Sequence, residues 1–393
     1  METRKYIILG NGIAGYSAAK EIRKTDKEGS ILIISRESYP TYFRIQLTHL
    51  IAKDIDDKVF MSPEDWYEKN SIEVLLKQNI KSFHPEERRV VLEDGREFQG
   101  EKILLATGAS SFIPPIQGVD KKNIFAIRSL DDVKAFNEAL KTAEKVTVIG
   151  GGLLGLEAAY SIHESGKPVQ VVESFSHLLG RQLDTEEGHR LEDRLKEMGM
   201  TIYCGHNTQE FLGEDKVEGI RLDNGEEIKT DLVLLSTGIR PNTGLFKETA
   251  LEVNRGLVVD ESLRTSVDQV YAAGDVAEIH SVCLGLWTAG METGKIAGHN
   301  MANPQDLKTY ETPKNFTELS IGDIEIFSVG QNKDEGQILT EEEEDRRVRI
   351  FLEGDKIVGG ILVGNTKAKG KLKKLVFNGA NLTEVKEIFP NLS

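Results

Sequence analysis

The chain has 393 residues, enough for two or three domains that each bury a core of their own. A hydrophobic content of 39% and a charged content of 29% are typical of a soluble globular protein, and no apolar run reaches the roughly 20 residues that a membrane helix needs. The net charge of −15 argues against nucleic acid as the default partner, because no chain-wide basic surface can form.

The first predicted element is an apolar strand that runs into the sequence ILGNGIAGYS, with glycines at Gly10, Gly12 and Gly15. A helix of small residues and a second apolar strand follow, and Glu37 stands after that strand. In such a unit the first glycine permits a tight turn, the second lets the backbone approach a pyrophosphate, and the third lets the helix pack on the strand. The acid then bonds a ribose hydroxyl. This stretch therefore predicts a dinucleotide site.

A second copy of the pattern begins at VIGGGLLGLE, with Gly150, Gly152 and Gly155 as its glycines and Glu173 as its acid. The residues directly after this acid are SFS, and no arginine occurs before Arg181. A carboxylate without a neighbouring cation takes the ribose diol and repels a 2′-phosphate. The second site is therefore expected to favour NADH over NADPH.

Each copy continues with a hairpin turn and an apolar strand that ends in Thr-Gly, ILLATG in the first copy and LVLLSTG in the second. We expect Thr107 and Gly108 to line the first cleft and Gly238 to line the second. The repetition predicts two similar dinucleotide-binding domains in tandem, each an α/β unit of the Rossmann type.

The tandem fingerprints, the Thr-Gly strand ends and the segment TSVDQVYAAGDVAE at 265–278 resemble the FAD-dependent pyridine nucleotide oxidoreductases. The resemblance implies that the first cradle holds FAD and that the second presents NADH. It also implies that Asp275 bonds the ribityl and phosphate portion of the flavin. Because this segment follows the NADH domain in the chain, we expect the NADH domain to be inserted between two parts of the FAD domain.

The predicted domains are therefore an FAD-binding domain at 1–115 and 244–301, an NADH-binding domain at 116–243, and a small α+β domain at 302–393. In the last of these, ELSIGDIEIFSVG and RRVRIFLEGDKIVGGILVG alternate as strands, and NLTEVKEIF predicts a helix with Asn381 as N-cap. The acidic run at 341–345 is expected to be a solvated loop. In relatives such a domain packs on the flavin or forms a dimer contact. The sequence does not decide between these two roles, nor between a monomer and a homodimer.

The region SYPTYFRIQLTHLIAKDID contains no cysteine, so it cannot supply the thiol relay of the disulfide reductases. It resembles the Y-x-[KR]-x-x-L-[ST] segment of rubredoxin reductases and of the flavin domain of bacterial nitrite reductases, with Tyr42, Arg44, Leu47 and Thr48 in the matching places. GLWTAGMETGKIAGHNM and LVGNTKAKGKLKKLV also resemble that group. Nitrite reductase subunits continue into cysteine-rich regions, which are lacking here, so we expect the rubredoxin reductase type.

The resemblance implies an enzyme that moves hydride from NADH to FAD and then passes electrons singly to a small iron protein such as rubredoxin. Arg44 is the candidate cation at the N5 edge of the flavin, with Glu157 as its partner. The alternative for Glu157 is a first-turn carboxylate stabilised by the helix dipole. Trp287 is expected either to cover the flavin ring or to fill the core.

Other acceptors stay open from the sequence, namely ferredoxin, oxygen or a nitrite reductase-type partner, and so does an NADH-sensing flavoprotein with slow turnover. The lysines between Lys367 and Lys374 are either a solvated face or a docking surface for an acidic iron protein. The two cysteines, Cys204 and Cys283, form no CxxC pair, which fits a reducing, cytoplasmic setting. The eight histidines show no metal-ligand spacing, so no metal is expected.

Overall fold

The chain forms two units, and its structure, a computed structural model, describes residues 1–63, 65–314 and 316–393. Unit 1 comprises Met1–Gln46, Ile55–Phe112 and Gly238–Thr312. Unit 2 comprises Leu47–Asp54, Ile113–Thr237 and Pro313–Ser393. Most of the predicted FAD-binding residues thus fall in unit 1, whereas most of the predicted NADH-binding and C-terminal residues fall in unit 2. The four-part domain division itself stays a prediction.

The elements are numbered along the chain. Residues 1–112 form β1 (Glu2–Leu9), α1 (Ile13–Thr25), β2 (Ile31–Ile34), α2 (Trp66–Lys69), β3 (Ile72–Leu75), β4 (Ile80–His84), β5 (Arg89–Leu92), β6 (Glu97–Leu105) and β7 (Ala109–Ser111). Residues 113–237 form β8 (Ile124–Phe125), α3 (Leu130–Thr142), β9 (Val146–Ile149), α4 (Leu153–Glu164), β10 (Val169–Glu173), α5 (Thr185–Glu197), β11 (Thr201–Cys204), β12 (Thr208–Leu212), β13 (Gly219–Leu222), β14 (Glu227–Lys229) and β15 (Leu232–Leu235).

Residues 238–312 form β16 (Ile239–Pro241), β17 (Leu257–Val259), β18 (Val270–Ala272), β19 (Ala277–Ile279) and α6 (Trp287–Ala302). Residues 313–393 form β20 (Phe316–Ile321), β21 (Ile324–Gly330), β22 (Gln337–Glu342), β23 (Arg346–Glu353), β24 (Lys356–Gly364), α7 (Lys369–Asn378) and α8 (Leu382–Ile388). No helix in the described ranges combines the length and the apolar character needed to cross a membrane.

Unit 1 is built on a sheet with strand order β3-β2-β1-β6-β5-β4, and β18 also pairs with β6. Strands β1, β2, β3, β6 and β18 run parallel, so their carboxyl ends lie at one edge. Helices α1 and α6 pack closely because Gly298 faces the backbone of Ala18, where a Cβ atom would lie 2.5 Å from the carbonyl oxygen. The fingerprint helix is thereby fixed to the segment that follows β18.

Unit 2 repeats the arrangement with a parallel sheet of order β11-β10-β9-β15-β8 and an added antiparallel sheet, β12-β13-β14. Its core also takes in Ile51, from the short segment that follows the Arg44 motif. The amide of Asn137 on α3 holds that segment, since its Nδ2 donates to the carbonyl of Leu50 at 3.0 Å and its Oδ1 accepts from the amide of Ala52 at 2.9 Å. The α/β class with two Rossmann-like sheets is confirmed.

The last part of the chain forms an antiparallel sheet of order β20-β21-β24-β23-β22. The predicted strands and the helix capped by Asn381 are confirmed. The predicted solvated loop at 341–345 is wrong at its start, because β22 runs to Glu342 and Glu341 is only 2% exposed. The carboxylate of Glu341 pairs with Arg346 at 2.5 Å, and this partner makes its burial tolerable.

Candidate functional site

The two glycine fingerprints have the same backbone geometry. Gly10 has φ of 116° and Gly150 has φ of 114°, a region that strongly favours glycine. A Cβ atom at either position would overlap a carbonyl oxygen, that of Ala106 in unit 1 and that of Ser236 in unit 2. In each copy the strand can therefore turn into its helix only with glycine at this place.

The third glycines, Gly15 and Gly155, each pack on the carbonyl of the first glycine of their copy. The second glycines differ from the others, because no atom lies within 4 Å of a Cβ built on Gly12 or Gly152. These two residues are the N-caps of α1 and α4, and neither cap has a side-chain hydrogen bond. Open space in front of a helix N-terminus with unsatisfied amides is the cradle that a pyrophosphate fits.

The first cradle contains an unpaired donor. Asn11 is 8% exposed, and its Oδ1 accepts from the hydroxyls of Thr41 at 2.9 Å and Tyr67 at 3.1 Å. Its Nδ2 is buried and has no hydrogen-bond partner in the described part of the chain. A buried amide without an acceptor is costly, so a ligand oxygen fits this position.

The acid of the first copy is already engaged by side chains. Glu37 accepts from the hydroxyl of Tyr42 and from Nη2 of Arg44, both at 2.6 Å. Burial alone would lower the pKa of Arg44, but the charges of Tyr42, Glu37 and Asp275 together raise the pKa above its ordinary value. Arg44 is thus a permanent cation that binds Glu37 and interacts electrostatically with Asp275.

The strand order brings Asp275 to the same edge as the fingerprint. Strand β18 pairs with β6, and the amide of Ala273 donates to the carbonyl of Leu105 at 3.1 Å. Asp275 follows in a short turn of helix, while Thr107 and Gly108 follow β6 directly. The predicted first-site residues therefore lie at the carboxyl ends of neighbouring parallel strands, where α/β sheets bind ligands.

Asn242 joins the end of the first Thr-Gly strand to the residues from Gly238 onward, in a two-stranded ribbon within unit 1. Its Nδ2 donates to the carbonyl of Thr107 at 2.7 Å, and its backbone amide donates to Gly108 at 2.9 Å. The carbonyl of Gly238 accepts from the amide of Phe112 at 2.8 Å. Strands β7 and β16 pair in this ribbon, so Gly238 stands beside the end of the first copy.

Trp287 is the first residue of α6 and is half-buried. Its ring lies 6.3 Å from the ring of Phe43, centroid to centroid. Two apolar residues close to these aromatic residues in the sequence have exposed side chains. They are Ile45, which is 51% exposed, and Leu286, which is 40% exposed. The covering of a flavin ring by Trp287 stays a prediction.

The acid of the second copy is held by backbone amides. Glu173 ends β10 and is 7% exposed. Its Oε2 accepts from the amide of Gly151 at 2.5 Å, and its Oε1 accepts from the amide of Phe175 at 2.8 Å. Arg181, the first arginine after it, is exposed. A carboxylate fixed in this way at the strand end is oriented for a ribose diol.

Glu157 on α4 has a partner that the sequence did not indicate. It is half-buried and accepts from the hydroxyl of Thr48 at 2.9 Å. Thr48 belongs to the segment matched by the Y-x-[KR]-x-x-L-[ST] pattern, but nothing local marks it as a partner for a residue so distant in sequence. The predicted pairing of Arg44 with Glu157 stays a prediction.

Both cysteines are half-buried and free. Burial and the nearby Glu192 raise the pKa of the Cys204 thiol to about 12. Burial likewise raises the pKa of Cys283. Within the described ranges, no group of three or more His, Cys, Asp or Glu side chains could hold a metal ion.

Two family models match the sequence. The model of the pyridine nucleotide-disulphide oxidoreductases matches residues 4–297, and that of the rubredoxin NAD+ reductase C-terminal domain matches residues 316–380. The first model covers both glycine cradles and Asp275, and the second covers all five strands of the C-terminal antiparallel sheet.

Among known proteins, the chain is 34% identical to the nitrite reductase [NAD(P)H] of Bacillus subtilis over 99% of its own length, but it spans only 49% of that relative. It is 31% identical to the NADH-rubredoxin oxidoreductase of Clostridium acetobutylicum, over 100% of both chains. The crystal structure of NADH:rubredoxin oxidoreductase from the same organism superposes with a TM-score of 0.85 at 29% identity, covering 98% of this chain and 100% of that one.

Proposed function

The chain belongs to the pyridine nucleotide-disulphide oxidoreductase family, and from this premise we propose that it takes hydride from NADH onto FAD and passes the electrons singly to rubredoxin. FAD and a pyridine nucleotide are the cofactors of the family. The observation that carries the choice of acceptor is the match of residues 316–380 to the C-terminal domain of rubredoxin NAD+ reductase. When bound, FAD supplies the change from two-electron to one-electron chemistry, which no side chain can provide.

In unit 1 the residues fit a resident dinucleotide. The cradle at Gly12 offers helix amides to a pyrophosphate, and Nδ2 of Asn11 offers one further donor. Arg44 neutralises Glu37 and supplies positive charge near the phosphates. Because a guanidinium does not lose its proton at neutral pH, Arg44 acts by charge and orientation and does not shuttle protons. Its placement at N5 stays a prediction.

In unit 2 the residues fit an exchangeable dinucleotide. Glu173 presents a carboxylate whose orientation is fixed by two amides, and in the described part of the chain no basic side chain forms a salt bridge with it. Such a carboxylate repels a 2′-phosphate. Glu157 is held by Thr48 in the first turns of α4, the helix whose N-terminus forms the cradle. These features support NADH as the reductant.

The similarity to nitrite reductase supports a second candidate function. In that case the chain would deliver electrons to a partner or region that carries iron clusters. A third possibility, an NADH-sensing flavoprotein with slow turnover, requires the same two cradles. These possibilities differ in how fast the reduced flavin is reoxidised, and by what.

The test is anaerobic rapid mixing of the FAD-loaded protein with one equivalent of NADH, followed by mixing with an oxidised acceptor. We expect NADH to bleach the flavin and rubredoxin to restore its colour at least about tenfold faster than a [2Fe–2S] ferredoxin or oxygen, a difference of roughly 1.4 kcal/mol in the barrier. Faster reoxidation by ferredoxin or a nitrite reductase fragment would select the second candidate. Slow reoxidation by every acceptor would select the sensor, and no bleaching would contradict the proposal as a whole.

We also propose that the lysines of α7 and of the residues just before it form a docking surface for the acceptor. Lys369 pairs with Glu318 at 2.7 Å, and Lys373 lies 3.9 Å from the ring centroid of Phe316. Lys371 is exposed. Part of the cluster is therefore used locally, and the exposed remainder is available for an acidic partner.

Reversal of charge tests this surface. Lys371→Glu with Lys374→Glu should raise the apparent KM for rubredoxin severalfold, and added salt should abolish the difference because exposed charges are screened over about 10 Å at 0.1 M. Turnover with ferricyanide should not change. Lys27→Glu with Lys216→Glu makes the same charge change on other exposed positions. Equal effects of the two pairs would remove the cluster from the docking surface.

A further inference from the structure

The segment 178–185, which follows the second-site acid, packs directly on the second glycine cradle. The amide of Leu179 donates to the carbonyl of Gly151 at 3.1 Å. The side chain of Leu178 fills the space beside that glycine, where a Cβ atom would lie 2.6 Å from its Cδ2. The same glycine holds Glu173 through its amide. Any movement of this segment would therefore move the acid and the cradle with it.

Residues of the C-terminal sheet, and of the connection between its strands β21 and β22, hold this segment. The hydroxyl of Ser328 and Nδ2 of Asn332 both donate to the carbonyl of Gln182, at 2.6 Å and 2.9 Å. The carboxylate of Asp334 accepts from the amide and the hydroxyl of Thr185, at 3.1 Å and 2.6 Å. All these contacts lie within unit 2. The second half of the segment is thus held by a part of the chain far away in sequence, while its first half packs on Gly151.

A buried ion cluster strengthens the attachment. Arg349 binds Oδ2 of Asp184 through Nη2 at 2.5 Å, and Arg347 binds Oε1 of Glu187 through Nε at 2.5 Å. Asp184 is 1% exposed and Glu187 is 3% exposed. Burial raises the pKa of Glu187, and the guanidinium of Arg347 opposes that rise. Removal of one partner would leave a buried charge uncompensated, which is strongly unfavourable.

We propose that the C-terminal sheet is a brace for the pyridine nucleotide site, and that Arg349, Ser328 and Asn332 are positioning residues for NADH. This inference rests on the proposed function of the second cradle. A loop that is already ordered costs less to organise when a ligand binds, so loss of the brace lowers affinity without touching the reacting atoms. In this role the sheet does more than dock an acceptor, because it also sets how tightly the reductant is held.

The experiment measures NAD+ binding to the oxidised, FAD-loaded full chain by isothermal titration, alongside NADH kinetics with ferricyanide. The variants are Arg349→Met, Arg349→Lys, and Ser328→Ala combined with Asn332→Ala. The matched control is Arg346→Met, because Arg346 lies on the same strand but pairs with Glu341 and Glu343 inside the C-terminal sheet. The variant that combines Ser328→Ala with Asn332→Ala removes no charge, so it still tests the proposal if Arg349→Met fails to fold.

We expect the dissociation constant of NAD+ and the KM for NADH to rise by about five- to fiftyfold in Arg349→Met and in the double variant, a coupling of roughly 1–2.3 kcal/mol. The kcat at saturating NADH and the FAD content should stay within about twofold of the unmodified chain. Arg349→Lys should recover part of the affinity. Arg346→Met can lower the melting temperature, because it leaves Glu341 without its partner, but it should leave the NAD+ affinity and the KM for NADH unchanged. Variants with lowered melting temperature and unchanged NAD+ affinity would overturn the brace. An unmodified chain that binds no NAD+ would overturn the proposed function instead.

Discussion

The two glycine cradles share their backbone but differ in what surrounds their acids. In unit 1, Glu37 faces the side chains of Tyr42 and Arg44. In unit 2, Glu173 is held by the amide of Gly151 in the fingerprint and by that of Phe175 in its own strand-end turn, and no basic side chain among the described residues forms a salt bridge with it. The cradle that is expected to keep its dinucleotide has a charged side chain, Arg44, bound to its acid. In the cradle that is expected to exchange its dinucleotide, hydrogen bonds from amides orient the acid.

This difference indicates which part of the pattern carries which property. The glycines set the approach of a pyrophosphate, which is common to FAD and NADH. The partners of the acid and the segments supplied from elsewhere in the chain set affinity and discrimination. Unit 1 adds Asp275 from β18, while unit 2 adds the C-terminal sheet. All but the last of the predictions below change one cradle at a time and leave the other as the internal reference.

The largest effect is expected from filling the open space of one cradle at a time. Gly12 and Gly152 have extended backbone, with φ of −82° and −81°, so a valine fits the conformation of either one. Its side chain would occupy the space of the phosphate. Gly12→Val should be purified almost without FAD. Gly152→Val should remain yellow but lose at least about 100-fold in kcat/KM for NADH, roughly 3 kcal/mol.

The flavin absorbance per chain and the rate of bleaching by NADH measure the two outcomes separately. Gly370→Val is the control, because no atom lies within 4 Å of a Cβ at that glycine either, and it lies outside both fingerprints. If the two cradle variants lost the same cofactor, the assignment of one dinucleotide to each cradle would be wrong.

The next effect concerns the residue that unit 1 adds to its cradle. Asp275→Ala should weaken FAD by about tenfold or more, since a buried charge-assisted hydrogen bond is worth about 1.5–3 kcal/mol. Flavin content after dialysis is the measurement. Asp268→Ala, an exposed change in the same segment, should keep full flavin. Full retention by Asp275→Ala would remove Asp275 from the site.

The glycine cradles and the acids that follow them could be predicted from the sequence because their geometry is local. A turn that requires positive φ at Gly10 leaves a glycine in the sequence, and the alternation of strands leaves a hydrophobic pattern. The helix at Asn381 was predictable for the same reason, since its capping box lies within four residues.

The side-chain contacts around the second cradle and in the C-terminal sheet were not predictable, because they join residues that only the fold brings together. Thr48 and Glu157 are an example, and so are Asp184 and Arg349, which are 165 positions apart. The burial of Glu341 was missed because an acidic run indicates solvent unless the partner on the next strand is known.

A smaller effect is expected at the acid of the second cradle. Glu173→Arg should lower the preference for NADH over NADPH by about tenfold, because it replaces a repulsive carboxylate with a phosphate partner. The ratio of the two kcat/KM values is the measurement, and FAD content should not change. Glu226→Arg makes the same charge change at an exposed position of unit 2. An unchanged ratio would mean that Glu173 does not face the ribose.

The smallest effect is expected from removing both thiols, one from each unit. Burial raises the pKa of Cys204 to about 12, so this thiol stays protonated at neutral pH, and a protonated thiol is a poor nucleophile. Cys283 has its pKa shifted in the same direction by burial. Cys204→Ser with Cys283→Ser should therefore keep its turnover with rubredoxin within about twofold, a change below roughly 0.4 kcal/mol. Treatment of the unmodified chain with a thiol-alkylating reagent checks the same point without substitution, and its turnover with rubredoxin should not fall. A loss of turnover in both experiments, with flavin content and melting temperature preserved, would mean that electrons leave the flavin through a thiol. The chain would then use the thiol mechanism of the disulfide reductases, with the thiol at a different position in the sequence.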